Sequence, residues 1–311
     1  MRQLNYTRLI HAMVLIRLRF LIFSMCLFVA AVAALAGCRR KEPAAPPVAR
    51  PTVTINHDKA PLGSPIEIAY KFVVANDAKF EGDYKVMLHV LDADDQLIWT
   101  DDNDPPIPTS QWKPGQTIEY VRTVFIPIRP YIGGASIHMG LYSPASQRRL
   151  TLAGQDAGQH AYNVATLEIL PQSEAVFTAM KDGWHAAETP PNNDQVEWSW
   201  TSKNQATIAF KNPRKDTVFY LDVDNPSATF PEGQHVQVTL GNQTIDDFML
   251  QPAREVLRKI PLSADKVGAE DMVELKIGVD KVFVPAQVNP AGSKDGRQLG
   301  VRVFHAVIAP K

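Results

Sequence analysis

Six aspartates lie close together in the first half of the chain, and their carboxylates are the oxygen ligands that Ca²⁺ prefers. Their spacing is not that of an EF-hand, because no glycine follows at the position where that loop turns sharply. The pattern favours the alternative, a solvated hairpin whose charges protect a sheet edge. We therefore expect no metal ion and no cofactor. The aspartates are Asp92, Asp94, Asp95, Asp101, Asp102 and Asp104.

The five tryptophans are the side chains best suited to form an aromatic platform for a sugar ring. Trp99 and Trp112 flank the aspartates, and we expect one of them to be exposed. The equally favoured alternative is that both are buried and pack beneath the hairpin. Trp198 and Trp200 lie two residues apart on one face of a predicted strand, where core packing is the favoured interpretation. The candidate glycan-contacting residues are Trp99, Trp112 and Trp184.

The sequence contains no recognisable catalytic motif. It has no Gly-x-Ser-x-Gly elbow and no phosphate-binding glycine loop, and its eight histidines lack the spacing of a zinc site. His185 and Glu188 come nearest to an acid–base pair, but a structural contact in a turn is the favoured interpretation. We predict that the chain has no catalytic residues and is not an enzyme.

Cys38 follows an apolar segment near the start of the chain. Arg17 and Arg19 precede the apolar run 20–34, which has the length of a signal-peptide core and is shorter than the ~20 residues of a spanning helix. The next four residues, Leu35-Ala36-Gly37-Cys38, resemble the lipobox of bacterial lipoproteins. The resemblance implies cleavage before Cys38, acylation of its thiol with palmitate-type chains and a membrane anchor. An uncleaved transmembrane segment is the alternative.

The segment after the apolar run predicts a lipid-anchored protein outside the cytoplasm. Residues 38–51 hold the lipidated cysteine and a proline-rich stretch, which favours an extended tether. Arg39 stands where an Asp favours inner-membrane retention in enteric bacteria, so we expect the outer membrane in a Gram-negative host. Residues 38–311 carry 28 basic and 33 acidic residues, a balance that gives no reason to expect nucleic acid as a partner.

Beyond residue 52 the dominant pattern is the alternation of apolar and polar residues typical of half-buried strands. Val273, Leu275, Ile277 and Val279 form the clearest example. Short strands with Pro- and Gly-rich connections predict an all-β protein with two tandem antiparallel, immunoglobulin-like sandwich domains, 52–172 and 182–311, after the signal peptide 1–37. Predicted strands include 66–74, 117–126, 161–170, 195–201, 205–210, 217–224, 235–240, 244–250 and 301–308.

Both predicted domains resemble accessory β-sandwich modules appended to polytopic bacterial glycosyltransferases of the dolichol-phosphate-mannose type. The first carries HVLDAD from His89, WTDD from Trp99, PTSQWKPG from Pro108, Gly140-Leu141-Tyr142 and Arg149-Leu150. The second carries GWH from Gly183, WSW from Trp198, VDKVFVPA from Val279 and DGRQLGV from Asp295. The resemblance implies an extracytoplasmic accessory module near glycan and does not imply transfer chemistry.

These observations predict a non-enzymatic, lipid-anchored accessory or scaffold protein of the bacterial cell envelope that contacts an envelope protein or a surface polysaccharide. A dedicated carbohydrate-binding lipoprotein is the alternative, and an exposed tryptophan would favour it. An enzyme acting on glycan is disfavoured, because no set of acid, base and nucleophile is visible.

Overall fold

The computed structural model of the protein describes residues 45–128, 131–193, 196–225 and 229–311. The predicted signal peptide 1–37, Cys38 and the predicted tether up to residue 44 lie outside the described residues. Residues Pro46–Lys311 form one compact unit. Among the described residues no helix combines the length and the apolar character needed to cross a bilayer.

The regular structure in these ranges is almost entirely β. The strands are β1 Ala49–Ile55, β2 Lys59–Pro61, β3 Pro65–Val74, β4 Lys85–Leu91, β5 Leu97–Thr100, β6 Thr117–Phe125, β7 Gly133–Tyr142, β8 Asp156–Gly158, β9 Ala161–Leu170, β10 Thr178–Met180, β11 Ser199–Trp200, β12 Gln205–Lys211, β13 Thr217–Asp224, β14 Gln234–Leu240, β15 Gln243–Leu250, β16 Val256–Leu262, β17 Met272–Val279 and β18 Arg302–Pro310. The helices are α1 Ala264–Val267 and α2 Pro285–Val288, and 3₁₀ turns span Thr109–Gln111 and Gln172–Glu174.

The first half of the described chain is a sandwich of two sheets. One sheet has the strand order β1-β3-β6, and the other has the order β2-β9-β7-β4-β5, with β8 paired to β9. All pairs are antiparallel except β2 with β9, which are parallel. Both sheets bury alternate side chains in a common core, such as Phe72 from the first sheet and Leu88 and Ile137 from the second. Burial of these apolar side chains is the main stabilising contribution to such a core.

The second half repeats this architecture with its own core. A five-stranded sheet has the order β10-β12-β17-β14-β15, and a four-stranded sheet has the order β11-β18-β13-β16. Val273, Leu275, Ile277 and Val279 are buried, as their alternation with polar residues predicts, and they face Phe219 and Leu221 of the other sheet. The all-β, antiparallel sandwich class is therefore confirmed, whereas the division into two domains remains a prediction, because both cores lie within one compact unit.

Side chains outside the two cores bring the sandwiches into contact on the outer side of the three-stranded sheet. The ring of Phe125 on β6 stacks on the ring of His305 on β18, with 3.7 Å between centroids and an interplanar angle of 3°. Nearby, the Lys259 ammonium lies 2.5 Å from a carboxylate oxygen of Glu67. An aromatic stack and an ion pair therefore contribute to the contact between the sandwiches, together with an edge-on contact between the rings of Phe125 and Tyr220.

Two predicted boundaries differ from the structure. The tether was predicted to continue to residue 51, but β1 begins at Ala49, which is buried, and pairs along its length with β3. The second sandwich begins before the predicted residue 182, because Thr178–Met180 pairs with β12. β1 is an edge strand that pairs with β3 and also buries Ala49, Pro51 and Val53. The three-residue strand Thr178–Met180 is an edge strand held by backbone pairing with β12.

The predicted strand 195–201 is also shorter in the structure. Only Ser199–Trp200 forms a strand, paired with β18. Trp198 makes an isolated bridge with Glu188, and Thr201 makes one with Trp184. The segment is therefore held by single bridges on both sides of a two-residue strand.

Candidate functional site

The prediction that Trp99 or Trp112 is exposed is wrong. Trp99 is 7% exposed and lies opposite Val90 on the inner side of the sheet, and Trp112 is 5% exposed. The Trp112 indole packs against Phe72 and Phe80, and its Nε1 donates a hydrogen bond to the Ile107 carbonyl oxygen at 2.8 Å. Both side chains belong to the first core, so neither forms a platform for a sugar ring.

The remaining tryptophans are engaged in the second sandwich. Trp184 is half-buried against the second core, and its Nε1 donates to the Thr207 carbonyl oxygen at 2.8 Å. Trp200 is 7% exposed, which agrees with the core packing expected for at least one of the pair. Trp198 is half-buried, and the Arg302 guanidinium lies 4.9 Å from its ring centroid. This cation–π contact covers part of the ring.

The six aspartates separate into different environments. Asp92 closes the β4–β5 hairpin, where its Oδ1 accepts hydrogen bonds from the backbone N–H groups of Asp94 and Gln96 at 2.9 and 2.8 Å. Asp104 pairs with Lys85 at the surface. In the ranges that the structure describes, no group of three or more acidic, histidine or cysteine side chains is arranged to hold a metal ion. Asp92 therefore stabilises the hairpin turn, and Asp104 makes a surface ion pair.

Asp101 lies in a buried polar network. Its carboxylate accepts two hydrogen bonds from the Arg122 guanidinium, both at 2.8 Å, and a third from the Tyr70 hydroxyl at 2.7 Å. The rings of Tyr70 and Tyr120 stack with 4.8 Å between centroids, and the Tyr120 hydroxyl donates to Asn103. Burial, followed by the nearby Asp101 carboxylate, raises the pKa of Tyr70. The network fixes the two sheets relative to each other.

His185 and Glu188 do not form an acid–base pair. A ring nitrogen of His185 lies 2.8 Å from the Gln298 carbonyl oxygen. The Glu188 carboxylate pairs with the Arg297 guanidinium at 2.5 Å. Each side chain thus ties the segment before β11 to the segment before β18, as the structural interpretation expected.

A polar cleft of about 520 Å³ opens instead on the outer face of the larger sheet of the first sandwich. Strands β4 and β7 form its floor, and the turns after β7 and before β9 form its walls. Only Met87 among its lining residues is apolar. The lining residues are Met87, His89, Asp102, Tyr142, Gln147, Arg149, Gln159 and His160.

A carboxylate with three donors lies on the cleft floor. Asp102 Oδ1 accepts a hydrogen bond from the Leu88 backbone N–H at 3.1 Å and lies 3.5 Å from His89 Nε2, and the Tyr142 hydroxyl also bonds to this carboxyl. Partial burial opposes ionisation, but these donors together hold the pKa of Asp102 below its usual value. Burial and the Asp102 charge in turn raise the pKa of Tyr142. The floor therefore presents an ionised carboxylate beside a protonated phenol.

The cleft walls are turns in an uncommon backbone conformation. Gln159 and His160 have φ of 53° and 58° and lie between Gly158 and Ala161, which pair with each other. Two central residues with positive φ are the requirement of a type I′ hairpin turn, in which Asn and Gly are strongly preferred. Gln147, in the opposite wall, has a φ of 57°. Longer polar side chains thus occupy strained positions in both walls, and such strain is concentrated at functional sites in proteins.

The wall that carries His160 packs directly on the floor. The outward residues His138 and Gly140 of β7 are buried, although the next outward residues of the same strand, Ser136 and Tyr142, are partly exposed. A Cβ built on Gly140 would lie 2.9 Å from the His160 carbonyl oxygen. Burial is also the main reason why the pKa of His138 is lowered. A glycine at position 140 therefore allows the turn to close over the strand.

None of the predicted glycan-contacting tryptophans lines this cleft, and sequence reasoning did not single out the residues that do. His89 and His160 were considered only for zinc spacing, and Asp102 only as part of the acidic cluster. Gly140, Tyr142 and Arg149 lay within the stretches that carry the family resemblance. One signal in the sequence was available: His89, His138 and Tyr142 occupy the outward positions of strands whose inward positions are apolar.

No protein-family model and no curated protein sequence matches the chain. Among solved structures it is similar to an exo-beta-1,3-galactanase from Phanerochaete chrysosporium, with 10% identity, a TM-score of 0.25, and coverage of 83% of this chain and 57% of that one. A Bacteroides uniformis beta-glucuronidase matches at 9% identity and a TM-score of 0.24, covering 86% of this chain and 30% of the enzyme. Collagen adhesin from S. aureus matches at 8% identity and a TM-score of 0.18, covering 75% and 82%. With TM-scores this low, these similarities assign no function to the chain.

Proposed function

We propose that the protein is a non-enzymatic, lipid-anchored binding protein of the bacterial cell envelope that holds a saccharide in the cleft of its first sandwich. The polar lining of this cleft is the observation that carries the proposal. A sugar presents many hydroxyl groups, each able to donate and accept, so its site needs both kinds of group. The Asp102 carboxylate accepts, the Arg149 guanidinium donates, and the amides of Gln147 and Gln159 do both.

The size of the cleft and the polarity of its lining residues favour a saccharide over an apolar small molecule. A volume of about 520 Å³ lies within the range of small-molecule sites, roughly 300–1,000 Å³. Sites for drug-like molecules are lined mainly by apolar and aromatic side chains. In this cleft Met87 is the apolar lining residue, and Tyr142 is the lining residue with a phenol ring. Hydrogen bonding rather than ring stacking would therefore hold the sugar.

The lipid anchor at Cys38 and the envelope location are proposed on the basis of the sequence alone. The motif Leu35-Ala36-Gly37-Cys38 supports them. In this arrangement the tether would hold the cleft outside the membrane, where surface polysaccharide is found. Contact with an envelope protein, the other partner that the sequence suggested, stays a prediction.

The proposal is tested with the full chain, purified in detergent micelles, by titration calorimetry against a panel of oligosaccharides. Replacing His89 with alanine removes a cleft donor and releases Asp102, and it should weaken binding about tenfold or more, the loss expected for one or two hydrogen bonds to charged groups. The matched control is His57→Ala, at an exposed position outside the cleft, and it should bind like the wild type.

Two outcomes would contradict the proposal. Equal affinity of wild type and His89→Ala would show that the sugar binds elsewhere. Shortened or otherwise altered oligosaccharides after long incubation with the wild type would show turnover, and the non-enzymatic part of the proposal would fall.

A further inference from the structure

The cleft contains a guanidinium that no carboxylate of the described residues neutralises. Arg149 is half-buried, and one of its terminal nitrogens donates to the Gln159 carbonyl oxygen at 3.2 Å. Within the described part of the chain it makes no ion pair. Five other arginines do, each with an Asp or Glu side chain. They are Arg122, Arg214, Arg258, Arg297 and Arg302.

Two carboxylates at or beside the cleft are directed to other partners. Asp102, the acidic lining residue of the cleft, is engaged by Leu88, His89 and Tyr142, as described above. Asp156, at the rim, has an oxygen 3.8 Å from His160 Nδ1. The protein therefore leaves most of the five donors of Arg149 without an internal acceptor.

The position of Arg149 is fixed by the backbone. Tyr142 and Arg149 form a bridge across the turn after β7, and the backbone N–H of Ser143 donates to the Arg148 carbonyl oxygen at 2.9 Å. The Gln159 carbonyl oxygen, in the strained turn of the opposite wall, holds the guanidinium from the other side. A guanidinium that is held in place and partly withdrawn from water suits planar, bidentate recognition of a carboxylate.

We propose that the ligand of this cleft is an acidic saccharide whose uronate carboxylate pairs with Arg149, an inference that rests on the proposed saccharide-binding function. The carboxylate accepts two parallel hydrogen bonds from the guanidinium, and the hydroxyl groups of the same sugar bond to Gln147, His160 and Asp102. Neutral sugars of the same size fill the cleft but leave the Arg149 charge unpaired.

The test compares oligogalacturonate with its methyl ester, which has the same sugar backbone without the charge, and with a neutral oligosaccharide of equal length. The full chain in detergent micelles should bind the acid about tenfold to about a hundredfold more tightly than the ester. Arg149→Gln keeps a polar side chain of similar reach but removes the charge, and it should reduce this preference to about twofold or less. Arg148→Gln, at the neighbouring exposed position, should keep the full preference.

The outcomes separate the two proposals. If the wild type binds acid and ester equally, an acidic ligand is excluded and saccharide binding stands. If Arg149→Gln keeps the preference for the acid, pairing of the ligand carboxylate with Arg149 is excluded, and saccharide binding again stands. If neither acid, ester nor neutral oligosaccharide binds, both proposals are overturned. Preference for the acid that only Arg149→Gln removes supports both.

Discussion

The carbonyl oxygen of His160 lies 2.9 Å from the point where a Cβ on Gly140 would be placed. The turn that forms one wall of the cleft therefore lies directly on the strand that forms its floor. The same Cβ would lie 3.3 Å from Met87 Cε, so the backbone of the turn and a flexible side chain both crowd position 140. A methyl group there has no space unless the turn moves outward.

We therefore expect Gly140→Ala to weaken saccharide binding by displacing the turn that carries Gln159 and His160. Crowding of a packed site costs about 1–3 kcal/mol of unfolding free energy. Calorimetric binding and chemical unfolding measure the two effects. Gly134→Ala, in the same strand, is the control, because a Cβ there meets no heavy atom within 4 Å. Unchanged binding by Gly140→Ala would show that the turn does not shape the site.

Relaxing the strained turn should raise stability at the expense of binding. In the double variant Gln159→Asn/His160→Gly the turn gains its preferred residues. Relief of strain, of order 1–3 kcal/mol for each such residue, exceeds the entropic cost of one glycine, about 0.5–1 kcal/mol. The control is Ala253→Gly, which also has a positive φ but lies outside the cleft. It should gain stability and keep its affinity. A double variant that binds like the wild type would refute a functional role for the strain.

The buried Asp101 network should be a large contributor to stability. Asp101→Ala leaves the Tyr70 hydroxyl and the Arg122 guanidinium without their acceptor, and the loss of one partner of such a pair costs about 3 kcal/mol. Asp104→Ala removes a carboxylate that is 76% exposed and should cost less than about 1 kcal/mol. Urea unfolding of both variants checks the difference. Similar losses in the two variants would mean that the network contributes no more than a surface pair.

The lowered pKa of His138 should make stability depend on pH. Burial, with a smaller contribution from His89, favours the neutral ring against the opposing charge of Asp95. Below the ordinary value of 6.5 the unfolded chain therefore binds a proton that the folded chain does not. This contribution to stability is complete above pH 6.5 and is lost as the pH falls towards the lowered pKa. His138→Gln should reduce the slope of the unfolding free energy against pH just below pH 6.5, and His57→Gln, at an exposed position, is the matched control.

Lipidation is tested at Cys38. Cys38→Ala should abolish labelling with a palmitate analogue in cells and leave an unprocessed or soluble form, because the thiol that would receive the acyl chains is gone. The remaining cysteine, Cys26, lies within the apolar run and provides the matched variant Cys26→Ala, which should still be labelled. Undiminished labelling of Cys38→Ala would exclude the lipoprotein assignment.

The period-two alternation of the sequence was sufficient to predict the β class and the inward side of the main strands. In β17, for example, Val273, Leu275, Ile277 and Val279 are buried between polar neighbours. This works because successive side chains of a strand point to opposite faces, so a pattern within one segment records which face is covered. The first residues of β1, from Ala49 to Pro51, were predicted as tether, because small residues and prolines are also typical of an extended linker, although Ala49, Pro51 and Val53 are buried in alternation.

Tertiary structure alone determines whether the tryptophans are buried and which residues line the cleft. A core plug and a sugar platform require the same residue type, so the sequence around Trp99 and Trp112 does not distinguish burial from exposure. The cleft brings together His89 from β4, Tyr142 from β7 and His160 from a turn, and these residues become neighbours only when the sheet pairs and the turn closes over Gly140. Long-range packing likewise decides which carboxylate pairs with most of the guanidinium groups, as in Arg122–Asp101 and Arg302–Asp224. It also decides that Arg149 has no carboxylate partner among the described residues.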